Sequence, residues 1–164
     1  MNKLLAIVSA ALLVTACSSS EDAAFDTYGD VSGGWNDSVN IMELKPTALT
    51  KEFRDTGNDV VYFEFNAHNL DATAKADLRA QAEWLTAHPK ALIVIEGRCD
   101  ERGTREYNLA LGDRRANAAR SYLIAQGIAA NRIRTISYGK DKPVVLGSDE
   151  EAWAKNRSAT TVAY

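Results

Sequence analysis

The sequence predicts an α/β (α+β) domain of order β-α-β-α-β-α-β, with one mixed sheet and helices packed on it. Three observations predict it. Short runs rich in β-branched and aromatic or other apolar residues recur at 60–65, 92–96, 133–138 and 158–164. Between them lie stretches with apolar residues at helical spacing, such as Ala74, Leu78, Ala82 and Leu85. The chain has 164 residues, 46% of them hydrophobic, a one-domain length with enough apolar side chains for a single core.

Residues 1–16 read as a signal peptide. Lys3 supplies a positive start, and residues 4–14 form an apolar run too short to span a bilayer. The end Val14-Thr15-Ala16-Cys17 resembles a bacterial lipobox, in which cleavage leaves Cys17 as an acylated first residue. The alternative is an ordinary signal peptide with a chance cysteine. Removing residues 1–16 takes away Lys3 and no acid, so the formal charge moves from −3 to −4. That balance has no basic excess, which argues against a nucleic-acid partner.

Residues 17–55 form the expected lipidated end and flexible linker. Residues 18–40 are rich in Ser, Asp, Gly and Asn with only scattered aromatics, a composition that buries little. Roughly 40 flexible residues have a mean span of about 35 Å and reach perhaps ~130 Å when pulled out. Residues 41–53 are ambiguous; Pro46, Leu49 and Phe53 suggest a short turn or helix laid on the domain.

The domain itself is expected over 56–164. Residues 60–65 make the first strand, and residues 66–69 a loop. Asp71 caps a helix that runs to about Ala87, which His88-Pro89 ends. His88 there is most simply a surface group compensating the helix dipole. Residues 92–96 make the second strand. A charged loop, 98–104, turns at Gly103 and leads into a helix that continues to about Gln126. Thr104, Glu106 and Asn108 suit its first turn. Residues 133–138 make a third strand, 149–156 a short helix with Trp153 as its core contact, and 158–164 the last strand.

The helix after Gly103 holds an anomaly. At 100° per residue, Leu111, Ala118, Ala119, Tyr122 and Gln126 share one sector of roughly 100°, a core-facing stripe. Arg115 falls in the middle of that sector, whereas Arg120 points away and should be solvated. A buried arginine must be paired, and Asp100 is the natural neighbour. Two readings stay open: a structural ion pair or snorkelling side chain, and a site that receives a charged ligand.

The stretch from Cys99 to Asn117 reads C-D-E-R-G-T-x-E-Y-N-x-x-L-G-x-R-R-A-N. It closely resembles the signature of peptidoglycan-associated lipoproteins, a branch of the OmpA-like C-terminal domains. The likeness extends to Ser137-Tyr138-Gly139-Lys140 and Lys155-Asn156-Arg157 and covers about residues 59–164. It implies the OmpA-like fold and non-covalent binding of peptidoglycan. In that family an Asp of the loop and an Arg of the helix hold the free end of diaminopimelate in a stem peptide; by motif position these are Asp100 and Arg115. Asn108 and Leu111 match motif positions of the pocket wall, although Asn108 could equally be a capping group. The same sheet edge should gather Phe65, Asn66, Ala67 and Thr104 around the ligand. The resemblance further implies a lipid anchor at Cys17 in the outer membrane, a periplasm-facing domain, and TolB and other Tol proteins as partners. Ser18 agrees with outer-membrane delivery, since Asp at that place favours inner-membrane retention in the enterobacterial type. Arg157 matches an N-R element of the family, but Ser158 replaces its second Arg, so that stretch is not assigned to the ligand. Arg98 stands where the family often carries His, and its role is unassigned.

Other chemistry fits poorly, and no cofactor or metal is expected. Gly97 and Gly103 do not make a phosphate-binding loop, since no Lys follows. Neither His68 nor His88 lies in a nucleophile motif. Cys17 and Cys99 have no metal-ligand spacing, and Cys99 reads as a small buried thiol. Asp100 and Glu101 imitate a paired-carboxylate hydrolase only weakly, because neighbours in a loop diverge. A peptidoglycan-remodelling hydrolase using the same pocket is the alternative to a binding module.

Overall fold

The computed structural model describes residue 40 and residues 43–164. The expected signal peptide, Cys17 and the linker up to residue 39 lie outside the described residues. Four strands form one mixed sheet of order β1-β4-β2-β3: β1 (Val60–Tyr62), β2 (Ile93–Arg98), β3 (Ile133–Gly139) and β4 (Ser158–Ala163). The last strand lies antiparallel between β1 and β2, and β2 pairs β3 in parallel. A parallel pair needs a long crossover, and the helix that begins after the charged loop supplies it.

The ambiguous stretch before the domain forms α1 (Ala48–Asp55), started by a capping box between Thr47 and Thr50. It packs on β4. Thr50 donates to the Ala163 carbonyl at 2.5 Å, and Phe53 joins the core. The first strand is shorter than expected. Phe63 N–H still donates to the Arg157 carbonyl, but the chain then turns, with Ala67 N–H on Glu64 O and Asn66 at φ 56°. Asn tolerates that left-handed conformation.

Helix α2 (Ala72–Ala87) begins where Asp71 accepts from Ala74 N–H at 2.7 Å. Its stripe Ala74, Leu78, Ala82 and Leu85 is buried as expected, together with Gln81. Gln81 is satisfied by the Asn58 carbonyl and the Thr161 hydroxyl, as a buried amide must be. His88 closes the helix, stacked on Trp84 and 3.0 Å from Glu52, so it also ties α2 to α1.

Helix α3 (Arg105–Ala125) carries the corrected stripe. Its buried residues are Asn108, Leu111, Gly112, Arg115, Ala116, Ala119 and Leu123. The expected Ala118 and Tyr122 are half-buried on its flank, Gln126 is exposed, and Arg120 is half-buried rather than fully solvated. Close approach to the sheet causes this rotation. Gly112 faces Gly97 of β2, and a Cβ on Gly97 would run into the Gly112 carbonyl. The seam of contact therefore runs through Gly112, and Arg115 sits one turn further along it.

Helix α4 (Glu150–Asn156) is capped by Asp149. Its core contact is Ala152, not Trp153 as the pattern suggested. Trp153 is drawn instead to the charged loop, where its indole donates to Glu101 at 3.1 Å. Among the described residues, no helix is long and apolar enough to cross a membrane.

Candidate functional site

The C-terminal end of β2, the turn after β1 and the first half of α3 enclose a cleft of about 380 Å³. Thr104 starts α3 by accepting from Tyr107 N–H at 3.2 Å. The preceding turn depends on Gly103 at φ 91°, a conformation that favours glycine. The Asn108 side chain clamps this loop, donating to the Arg102 carbonyl at 2.8 Å and the Thr104 carbonyl at 3.0 Å. Across the cleft, the Tyr107 hydroxyl donates to Asn66 Oδ1 and joins the two lips.

Arg115 lies at the bottom with 1% exposure. Among the described residues it has no carboxylate within ion-pair distance. Its Nε donates to Ala67 O at 2.8 Å, Nη1 to Arg98 O at 2.8 Å and Nη2 to Glu64 O at 3.2 Å. The Phe63 ring lies 5.2 Å below the guanidinium. Three of five N–H donors are thus committed to carbonyls, which orient the charge without neutralising it. Burial pushes the Arg115 guanidinium down from its ordinary value, opposed by Cys99 and Asp100, but a guanidinium starts so high that it remains charged.

Asp100, 4% exposed, pairs with Arg102 rather than Arg115. The sequence placed the right two residues in one region but not their partners. Arg102 sits two residues from Asp100 in the same loop, and its backbone N–H already points at Oδ1, so its side chain closes the pair at no extra chain-closure cost. Arg102 Nη2 reaches Oδ2 at 2.5 Å and Nε reaches Oδ1 at 3.2 Å. Arg157 Nη1 stands 3.6 Å from Oδ2 on the other side. Burial alone would push the Asp100 carboxyl up; the hydrogen bonds from Arg102 and the charges of Arg102 and Arg157 outweigh it and hold it below the usual carboxylate range.

Of the sequence-derived set, Phe65, Asn66, Asp100, Asn108, Leu111 and Arg115 line the cleft. Thr104 and Ala67 stand behind it, the first as a helix cap and the second as an acceptor for Arg115. Cys99 lines it too. Burial pushes its thiol up, and Sγ bonds the Asn108 carbonyl at 3.3 Å. Sequence reasoning missed Arg102 and Tyr107 and set Arg157 aside. The Asp-x-Arg spacing was a signal for Arg102, whereas nothing local reveals that Arg157 returns to Asp100 from the far end of the chain. Arg98 serves through its carbonyl; by strand alternation its side chain faces away from the helices, paired with Glu96 at 2.5 Å. Among the described residues, no group of His, Cys, Asp and Glu could hold a metal ion.

The OmpA family profile matches residues 62–157, which carry every side chain of the cleft. A peptidoglycan-associated lipoprotein of Pasteurella multocida is 38% identical over 164 residues, covering 100% of this chain and 98% of that protein. The chain belongs to the OmpA family, among its peptidoglycan-associated lipoproteins. The member of that family from Rhizobium meliloti is 50% identical over 112 residues, covering 68% of this chain. The match spans just under two thirds of that relative, 64% of its length. Among solved structures, the peptidoglycan-associated lipoprotein from Burkholderia pseudomallei is 44% identical with a TM-score of 0.63, covering 65% of this chain and 90% of its own. The C-terminal domain of Helicobacter pylori MotB, 21% identical with a TM-score of 0.61 over 65% of this chain and 84% of its own, shares the fold.

Proposed function

We propose that this family member is an outer-membrane lipoprotein whose domain, residues 56–164 with α1 packed on it, binds peptidoglycan non-covalently through the diaminopimelate of a stem peptide. One observation carries the reading: a buried, un-neutralised Arg115 guanidinium and the ionised Asp100 carboxylate line the same cleft. The free end of diaminopimelate offers a carboxylate and an ammonium on one carbon. Arg115 and nearby N–H groups suit the carboxylate, and Asp100 suits the ammonium. Residues 1–16 act as the signal peptide, Cys17 carries the lipid, and of the expected linker 17–55 the part before α1 spans from the membrane to the wall, since α1 is packed on the domain. One acyl chain binds marginally, at about 0.8 kcal/mol per buried methylene, and additional chains make the anchor durable. The same surface would be shared with TolB in a Tol-Pal system serving envelope integrity and cell division.

The domain acts as a binder rather than a hydrolase in this reading, because arginines hold Asp100 ionised and unsuited to general-acid work. The deciding experiment incubates the purified full chain with muropeptides that carry or lack diaminopimelate. Saturable binding of the first kind alone, with peptide masses unchanged, is the expected result. Equal binding of both kinds removes the ligand assignment, and a change of mass establishes the hydrolase instead. For the anchor, mass spectrometry of the membrane fraction should find Cys17 acylated at the mature N-terminus, and Cys17→Ser should release the chain into the soluble fraction. Unacylated full-length protein in the cytoplasm would contradict it.

A further inference from the structure

The ammonium half of that ligand meets an obstacle on Asp100. A carboxylate offers about four acceptor positions. Arg102 takes three of them, through its backbone N–H at 3.2 Å, Nε at 3.2 Å and Nη2 at 2.5 Å. Arg157 Nη1 stands 3.6 Å from Oδ2, an ion pair without a hydrogen bond. An incoming ammonium therefore finds the carboxylate already flanked by two guanidinium groups, and for a full ion pair with Asp100 one of them has to give way.

The two arginines differ in what else holds them. Arg157 is 6% exposed and held by two hydrogen bonds, Nε on Phe63 O at 3.0 Å and Nη2 on Glu150 at 2.7 Å. It cannot leave without orphaning the buried Phe63 carbonyl and breaking its pair with Glu150. The Arg102 side chain is one-third exposed and, among the described residues, hydrogen-bonds Asp100 alone. Its guanidinium is clasped between two rings, Phe65 at 4.1 Å and Trp153 at 4.2 Å. Stacking of that kind holds a cation weakly at exposed sites, so Arg102 is the member that can swing out into water. Phe65 itself is exposed, so its ring does not wall Arg102 in.

We propose that Arg102 is a specificity-determining residue: it stands in for a ligand ammonium at Asp100 and is displaced from that carboxylate, and from between Phe65 and Trp153, when an amine-bearing ligand binds. This rests on the proposed peptidoglycan function and deepens it. The cleft then selects against ligands that bring only a carboxylate, not by clashing with them but because they cannot take over the Asp100 pair. Weak cations fail as well, since they must outcompete a tethered guanidinium. The cost is lower affinity for the correct ligand than the bare carboxylate would give.

The test uses the full chain and two probes: a stem tripeptide ending in meso-diaminopimelate, and its 2-aminopimelate counterpart, which lacks only the free amine. Arg102→Met keeps the apolar stem between the rings and removes the competing charge. It should bind the diaminopimelate peptide about fivefold or more tighter than wild type, with the counterpart changed by less than about twofold. Weaker binding of both probes would make Arg102 a ligand-holding cation and overturn the proposal. The second measurement needs no Arg102 variant. The Trp153 indole N–H resonance, assigned by its loss in Trp153→Phe, should shift on adding the diaminopimelate peptide to wild type and stay in place with the counterpart. An unmoved resonance in the saturated complex, or equal shifts with both probes, also overturns it. Failure of wild type and variant alike to bind the diaminopimelate peptide would instead remove the underlying functional reading.

Discussion

Replacing Arg115 with alanine should damage the fold and the site together, and the structure gives the size of the first effect. The guanidinium donates to three carbonyls, those of Glu64 and Ala67 in the turn after β1 and that of Arg98 at the end of β2. Glu64 O keeps the Ala67 N–H, so two carbonyls lose their donor; at about 1–3 kcal/mol for each orphaned acceptor, the ceiling is roughly 2–6 kcal/mol. Two things lower it. The cleft opens to solvent, so water can reach some of these carbonyls, and the variant no longer desolvates a charge. A loss of about 3–5 kcal/mol is the expected result, in the range for breaking a buried charged network. Against a domain stability of about 5–15 kcal/mol, that leaves a folded but fragile protein. Its thermal midpoint should fall by on the order of 15 °C, followed by circular dichroism at neutral pH. Arg115→Lys keeps the charge but not the planar fork, and should fall between the two. At a temperature where Arg115→Ala is folded, binding of a diaminopimelate peptide should weaken roughly 30-fold or more. A midpoint within about 3 °C of wild type would refute the structural part of the reasoning. Unchanged affinity in the folded variant would refute the site.

Four other outcomes are expected. Gly97→Ala drives a Cβ into the backbone carbonyl of Gly112 and should cost more than about 2 kcal/mol in urea unfolding, because backbone on both sides must shift; a neutral result would mean that α3 is free to slide. The Asp100 carboxyl is held below its ordinary 3.8 by the fold, so its stabilising contribution is complete above that pH and is lost as pH falls through the depressed folded value. The difference in midpoint between wild type and Asp100→Asn should therefore be constant down to about pH 4 and shrink below it, and a gap that widens in acid would reverse the assignment. Arg120→Ala, on the flank of α3, should change peptide affinity by less than about twofold, as a charge remote from the cleft does. Deleting about ten residues between Ser18 and Gly34 should leave the domain's midpoint nearly unchanged; a drop of several degrees would show that this stretch docks on the fold.

Period and caps made most of the fold legible. Asp71, Thr104 and Asp149 each start a helix where a short polar side chain precedes an apolar stripe, and this is local chemistry that a sequence displays. What period could not give was rotation. The stripe of α3 was centred by assuming that Ala118 and Tyr122 face the core, but the contact is decided by two glycines from different elements meeting, Gly97 and Gly112. Pairing was hidden for the same reason. Asp100 and Arg115 looked like partners because both are charged and both approach the same loop. Backbone carbonyls satisfied Arg115 instead, and carbonyls are present at every residue and so leave no mark in a sequence. Trp153 was misplaced because size was taken for burial, whereas the cation of Arg102 and the acceptor Glu101 hold its ring at the edge of the cleft.

The way the arginines are held has a consequence for what the cleft attracts. Arg115 is oriented wholly by carbonyls, and Arg157 by a carbonyl and by Glu150. Carbonyl dipoles fix a guanidinium in place but leave its full charge in the low-dielectric floor, where an anion gains more than it would in water. The nearest buried carboxylate, Asp100, is spent on Arg102 and Arg157, and Cys99 is pushed toward its neutral form by burial. An arriving carboxylate thus meets an uncompensated positive site, while an arriving ammonium meets one that is already balanced. Affinity should come mainly from the acid end of a zwitterion and discrimination from the amine end. The two halves of the ligand would then be read by different physics, one by filling a charge deficit and the other by exchange against a tethered cation.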